Sequence, residues 1–533
     1  MRFLIACLCV LGMALGGQEP PVLRVTTRLV VINVVVHGKK GEPVTGLTKD
    51  DFVLLDQGQP QKISFFSMET SGRSAASAKP LPTNYFSNRL EGRSGTPTTA
   101  TAVLFDGLNT RFEDQAYARS ELVKFLKQIR PEDRVALYAL GANLRVLHDF
   151  TNDTESLLRA LARHRSHIPT ELAASEPAEP DTGNEELDAW LSEADQRIAE
   201  SYTINRTRQT LQALEAIAQH LARLPGRKNL IWISAGFPFS IGLDSFGDSL
   251  NPAREQRTFS PELERAAHAL NDASLAIYPV DARGLIGMPA FSATGRKAPA
   301  RNAPTLPMSI VRTHETMEVI AERTGGKAFY DVNDLKGAIR EAIDDSRVTY
   351  VLAYYPAHNT WDGAFREVKV QVKRRGVDVR HRAGYFAFRE RPETPKERDT
   401  ALREAAWSPL EATGIGLMVR VAPGTPPNSS QWRVITVVDP RHISLEEKDG
   451  LWLGTLDALF VQLGPDGRNL TGVTHTLSLR LSRDAYQRTL KQGTILVKPL
   501  EMAPGASQLR VVVRDARSGN LGSVIVPLSR VAK

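Results

Sequence analysis

Residues 101–110 read Thr-Ala-Val-Leu-Phe-Asp-Gly-Leu-Asn-Thr. Thr101 to Phe105 has the composition of a short buried strand, and Asp106 stands where that strand ends. Helical periodicity follows at once, with Leu122, Phe125, Leu126 and Ile129 at i, i+3, i+4 and i+7. The rhythm then repeats. Val135–Leu140 and Leu144–Phe150 read as strands, and Leu157, Leu158 and Leu161 lie on a short helix. Leu211, Leu214, Ala218 and Leu221 mark a longer helix that ends near Pro225-Gly226. Leu230–Ile233 and Leu275–Val280 are apolar strands, separated by a helix carrying Leu263, Ala266 and Leu270. A helix with Met317, Ile320 and Ala321 stops at Gly325-Gly326. A last helix carries Leu335, Ile339, Ala342 and Ile343 and leads to the strand Val348–Tyr355. Apolar strands alternating with amphipathic helices predict a mainly parallel sheet covered on both faces, over residues 100–356.

The flanks have a different texture. Residues 22–68 hold short β-branched runs broken by turns at Gly41-Glu42-Pro43 and at 56–60. Residues 364–388 return to strands. We expect these two segments to pair in one β-sandwich, with the α/β unit inserted between them. Residues 69–99, rich in Ser, Pro, Gly and Thr, and the charged residues 389–407 read as linkers. Residues 411–533 alternate in the strand manner with little helical periodicity, which predicts a separate C-terminal β-sandwich. Two stretches interrupt the α/β unit. Residues 165–202 are acidic and contain Pro169, Pro177 and Pro180, and residues 284–312 are rich in Gly, Pro and Arg. Both read as disordered or partly helical loops.

A chain of 533 residues exceeds one hydrophobic core. Its 42% hydrophobic and 24% charged residues are ordinary for a globular protein. A net charge of +7 over this length lacks the concentrated basic stripe of a nucleic-acid binder. The N-terminus has Arg2, an apolar run from Phe3 to Leu15, and small residues at Ala14, Gly16 and Gly17. Residues 1–17 therefore read as a signal peptide, with a membrane anchor or lipidation at Cys7 as alternatives. Both cysteines, Cys7 and Cys9, lie in this segment. Its removal leaves a chain without disulfides, thiolate catalysis or cysteine metal sites. No later segment is apolar for long enough to cross a membrane. The expected location is exported: periplasmic, secreted or cell-surface.

Several motifs occur in order along residues 22–390. They are Val44-Thr45-Gly46-Leu47-Thr48-Lys49-Asp50-Asp51-Phe52, Pro225-Gly226-Arg227-Lys228-Asn229, Glu322 to Tyr330, Thr349 to Pro356 and Arg382-Ala383-Gly384-Tyr385-Phe386. With the strand–helix order, they resemble a von Willebrand factor type A domain. They are similar in particular to the exported bacterial group called VWFA-related, acidobacterial type. The resemblance implies a Rossmann-like, doubly wound type A domain inserted into a β-sandwich and followed by a C-terminal β-sandwich. It also implies ligands at the carboxyl ends of the strands. In many such domains a divalent cation sits there, held by Asp-x-Ser-x-Ser after the first strand and by a Thr and an Asp from later loops.

This chain departs from that pattern. Asp106 matches the leading Asp and Thr110 the second Ser, while Leu108 replaces the first Ser; Asn109 adds an amide oxygen. In Ser234-Ala235-Gly236 the hydroxyl of Ser234 is kept, but Ala235 stands where the second carboxylate belongs. The middle threonine is Thr203, Thr207 or Thr210. Mg²⁺ requires about six oxygen ligands near 2.1 Å. Losing one carboxylate and one hydroxyl weakens its capture. Two readings stay open: Asp106, Asn109, Thr110 and Ser234 hold no cofactor and serve the fold, or they form a degenerate site with weakly bound Mg²⁺.

Other candidates carry less. Asp281, after the strand Leu275–Val280, is expected to cap the turn at Ala282-Arg283-Gly284. His314, Glu315 and Glu318 lack the second histidine of a zinc motif and read as polar groups on a helix surface. No Gly precedes Ser234 by two positions, so it is not a nucleophile elbow. The expectation is a protein-recognition or adhesion-type binding protein with a protein partner, not an enzyme. The alternative is a structural scaffold of a cell-envelope assembly.

Overall fold

The computed structural model describes residues 29–70, 81–89, 99–166, 168–175, 181–222, 224, 227–236, 265–285, 308–358, 360–387, 394–423 and 431–531. The expected signal peptide lies outside them, as does most of the 284–312 insertion. No helix among the described residues is long and apolar enough to cross a membrane.

The α/β unit is numbered here from its own start. β1 (Thr99–Asp106) leads to α1 (Phe112–Leu126), β2 (Val135–Leu140), β3 (Leu144–Thr151), α2 (Thr154–Arg163), α3 (Thr170–Ala174) and α4 (Glu185–Leu221). Then come β4 (Arg227–Ser234), α5 (265–273), β5 (Leu275–Asp281), α6 (Met308–Thr324) and α7 (Leu335–Asp344). The sheet order is β5-β4-β1-β2-β3. β1, β2, β4 and β5 run parallel, and β3 is antiparallel on one edge. A parallel bridge from Val280 to Phe329 extends the other edge.

Side chains along each strand alternate between two cores, as strand geometry requires. Leu104 of β1 and Trp232 of β4 face Leu214, Ile217 and Met317. Val103, Phe105, Ile231 and Ile233 face Leu122, Phe125 and Ile339. With helices on both faces, all eight residues of β4 are buried. Chain order reverses between β1 and β4, where the crossovers part to opposite faces. In open α/β sheets this switch point opens a crevice at the carboxyl ends of the strands.

Two four-stranded sheets lie next to this unit. One has the order 377–380, 30–38, 348–354 and 65–70; the other has 384–386, 365–372, 52–56 and 59–61. They share one apolar cluster that includes Ile32, Val34, Leu54, Tyr350, Leu352 and Val370. Strands from before and after the α/β unit pair directly: Val36 opposite Val379, and Val370 opposite Leu54. The strand Val348–Tyr354, expected to finish the α/β sheet, instead pairs with Val30–Gly38 and Phe65–Thr70.

The C-terminal residues form two further sheets over a cluster that includes Val419, Val434, Phe460, Val511 and Val524. Three expectations are corrected here. The expected linker 69–99 contains a strand, Tyr85–Ser87, which pairs with Met418 to Arg420. The C-terminal unit is therefore not built from residues 411–533 alone. The expected linker 389–407 contains α8 (Pro395–Trp407), whose Leu402, Ala405 and Ala406 pack against Val461, Val512 and Leu521. Within the acidic 165–202 insertion, α4 begins at Glu185 and continues for 37 residues. A surface helix, Arg483–Gln492, adds to the C-terminal unit where strands alone were expected.

Candidate functional site

The whole stretch 101–110 is buried. Asp106 ends β1 at the switch point, with 1% of its surface exposed. Its Oδ1 accepts the backbone N–H of Asn109 at 3.0 Å. Its Oδ2 accepts the Asn109 amide Nδ2 at 2.9 Å, the Trp232 indole Nε1 at 3.0 Å and the Ser234 hydroxyl at 3.0 Å. Burial pushes the Asp106 carboxyl above the usual carboxylate range, against the opposing pull of these donors.

The surroundings are equally committed. Thr110 Oγ1 accepts the backbone N–H of Ala235 at 3.0 Å, tying the loop after β1 to the loop after β4. Asn109 Nδ2 also reaches the Thr210 hydroxyl at 3.0 Å, and Asn109 Oδ1 accepts the Arg206 guanidinium at 3.0 Å. Of the three candidate threonines, Thr210 meets the cluster. Thr203 and Thr207 donate their hydroxyls to backbone carbonyls one turn earlier in α4. Leu108 is fully buried in the apolar core.

As arranged, this donor set does not fit a divalent cation. Both Asp106 oxygens are occupied by hydrogen-bond donors of the chain. Leu108 and Ala235 offer no oxygen from their side chains. Arg206 brings a positive charge to the cluster itself. Trp232 and Arg206 were not among the residues singled out from the sequence. Trp232 looks like an ordinary strand residue, and Arg206 lies 97 positions from Asn109.

A second cluster sits at the end of β5. Asp281 is fully buried and accepts the Arg283 backbone N–H at 2.9 Å, the expected turn cap. It also takes the Arg283 guanidinium at 2.7 Å and His314 Nε2 at 3.2 Å. The expectation of a surface-facing His314 is corrected. It is 8% exposed and stacks on Tyr330 at 4.2 Å, whose hydroxyl donates to Glu318. The Ala282 N–H donates to the Ser234 carbonyl at 3.0 Å and joins the two clusters along the sheet edge.

The motifs that carried the resemblance have a different place. Arg227 is 1% exposed and donates to the Tyr278 hydroxyl at 3.0 Å and to the Gly325 carbonyl. Tyr278 in turn donates to Asp345 at 2.5 Å, and Asp345 also accepts Arg380 at 2.5 Å. Arg382 donates to the Val31 carbonyl at 2.8 Å and to Asn271 Oδ1 at 3.0 Å. A Cβ on Gly326 would lie 1.9 Å from the Ile277 carbonyl oxygen, so only glycine fits there. These residues join the α/β unit to the neighbouring sheets, at the opposite end of the strands from Asp106.

No family model and no curated protein matches the chain. Among solved structures, the conserved hypothetical protein BatB from Bacteroides thetaiotaomicron is similar over 46% of this chain and 97% of its own, at 12% identity and a TM-score of 0.21. The vWF domain of the type V pili tip protein Mfa5 from Porphyromonas gingivalis covers 46% of this chain and 95% of its own, at 9% identity and 0.24. A von Willebrand factor type A protein from Catenulispora acidiphila covers 65% of this chain and 80% of its own, at 8% identity and 0.26. The functional reading rests on the residues of this chain.

Proposed function

We propose that the chain is an exported protein-recognition protein with a type A-like unit, whose carboxyl sheet edge meets its partner without a bridging cation. The observation that carries this reading is the saturation of Asp106 by Asn109, Trp232 and Ser234. A carboxylate that already accepts four donors does not need a metal to be stable in the interior. This cluster ties the loop after β1 to the loop after β4 through Thr110 and Ala235. The role is one of binding rather than catalysis.

Capture of partners from the native exported fraction, with and without EDTA, tests the reading. The same partner should be retained under both conditions. A partner lost on chelation would overturn it.

A second reading, a scaffold of an envelope assembly, draws on the tight joining of the units through Arg227, Asp345 and Arg380. A partner retained after charge-reversing substitutions along the carboxyl edge would favour the scaffold.

A further inference from the structure

At the opposite end of the sheet, where β5 and α6 meet the strand Val30–Gly38 and residues 382–386, lies a partly open cavity of about 60 Å³. Its walls include Arg227, Arg323 and Arg382, and no Asp or Glu among the described residues lines it. Leu270, Phe365 and Phe386 supply apolar surface.

Arg227 has a carboxylate near it in Asp345, at 3.8 Å. The other two arginines do not make such a pair inside the cavity. Arg323 Nη1 and Arg382 Nε are buried and have no hydrogen-bond partner. The Arg323 guanidinium carbon lies 3.8 Å from the centre of the Phe365 ring. Burial pulls both guanidinium groups below their usual values. Buried cations with open donors are costly unless an acceptor reaches them.

We propose that this cavity binds a small carboxylate with a short alkyl tail. The arginines take the carboxylate oxygens, and Leu270, Phe365 and Phe386 cover the tail. Each open guanidinium N–H can make a charge-assisted hydrogen bond to a carboxylate oxygen. The volume is about that of two waters, which excludes a bulky ligand. Apolar walls favour a carboxylate over a hydrated phosphate. The site is separate from Asp106 and does not depend on the function proposed for that edge.

Propionate is the probe. Thermal unfolding of the full chain in sodium propionate, against sodium chloride at matched ionic strength, should show a saturable rise in melting temperature. Arg323→Met should weaken the apparent affinity by about tenfold or more, the loss of one hydrogen bond to a charged group. Ala267→Leu, which fills the cavity from a wall residue and leaves all three arginines in the sequence, should abolish the shift. Saturation-transfer NMR of propionate with the wild-type chain reads binding directly if either variant is unstable. The absence of both a saturable shift and a transfer signal would overturn the proposal. So would binding indifferent to both substitutions, or stabilisation by phosphate in place of propionate.

Discussion

Arg206 places its guanidinium 3.0 Å from the side-chain oxygen of Asn109, the residue that holds Asp106 through both its backbone N–H and its amide. A positive group is thus fixed beside the residue that holds Asp106. A cation arriving there would have to displace hydrogen bonds and approach a like charge. Millimolar Mg²⁺ or Mn²⁺ should leave the melting temperature unchanged. A saturable rise with either metal would show that the cluster opens to admit one.

Asp106 serves as the hub of its cluster, so its removal should be felt widely. Asp106→Ala leaves the Trp232 indole N–H, the Asn109 amide and the Asn109 backbone N–H without their acceptor. Each buried donor left open costs about 1–3 kcal/mol. We expect a loss of about 3 kcal/mol or more in chemical denaturation. A loss below about 1 kcal/mol would mean that water satisfies these donors.

Lys228, at the start of β4, is 7% exposed, and burial brings its ammonium down to about 8 despite the nearby charge of Glu69. A base with a lowered folded pKa binds fewer protons when folded than when unfolded, between that value and its ordinary value of about 10.4. Stability should therefore rise with pH through this window, by up to roughly 3 kcal/mol. Lys228→Met should flatten the rise. The comparison is urea unfolding of both chains from pH 7 to pH 10.5, and parallel curves would refute the assignment.

Asn88 fastens residues 81–89 to the C-terminal unit. Its amide donates to the Ala412 and Ile415 carbonyls at 2.7 and 2.8 Å, and its oxygen accepts the Leu417 N–H at 2.7 Å. Asn88→Ala should cost about 2–4 kcal/mol through three broken bonds at a site 2% exposed. Limited proteolysis should then cut between residues 81 and 89. Unchanged protection would place the anchoring elsewhere.

The alternation of strands and helices was legible because apolar runs such as Leu230–Ile233 and spaced residues such as Leu122, Phe125 and Leu126 are local signals. The first half of α4 was not, because its apolar side chains stay largely exposed: Trp190 is 64% exposed and Ile198 is 53% exposed. Its acidic residues and flanking prolines read as a loop, although Asn184 caps it well. α8 left a clearer trace that went unused. Thr394, Pro395 and Glu397 make a capping box with proline at the first turn. The short strand Tyr85–Ser87 has too few residues to show a period at all. At the site, Asp106, Asn109, Thr110 and Ser234 could be named from the motif. The contributions of Trp232 and Arg206 could not, because each comes from a separate element of the fold. The motifs around Arg227 and Arg382 could be picked out in the sequence, but the contacts by which they join the units could not.

The strand Tyr85–Ser87 imposes an order in time. Ser87 bonds the Leu417 carbonyl across 330 residues of chain. At synthesis rates of about 5–20 residues per second, that segment would wait from about 16 s to more than a minute for its partner. Throughout the wait it presents an unpaired edge, which other chains can also add to. The C-terminal sheet can close only after nearly the whole polypeptide has emerged. A chaperone that shields residues 81–89 during that interval would act on yield without touching the stability of the finished molecule.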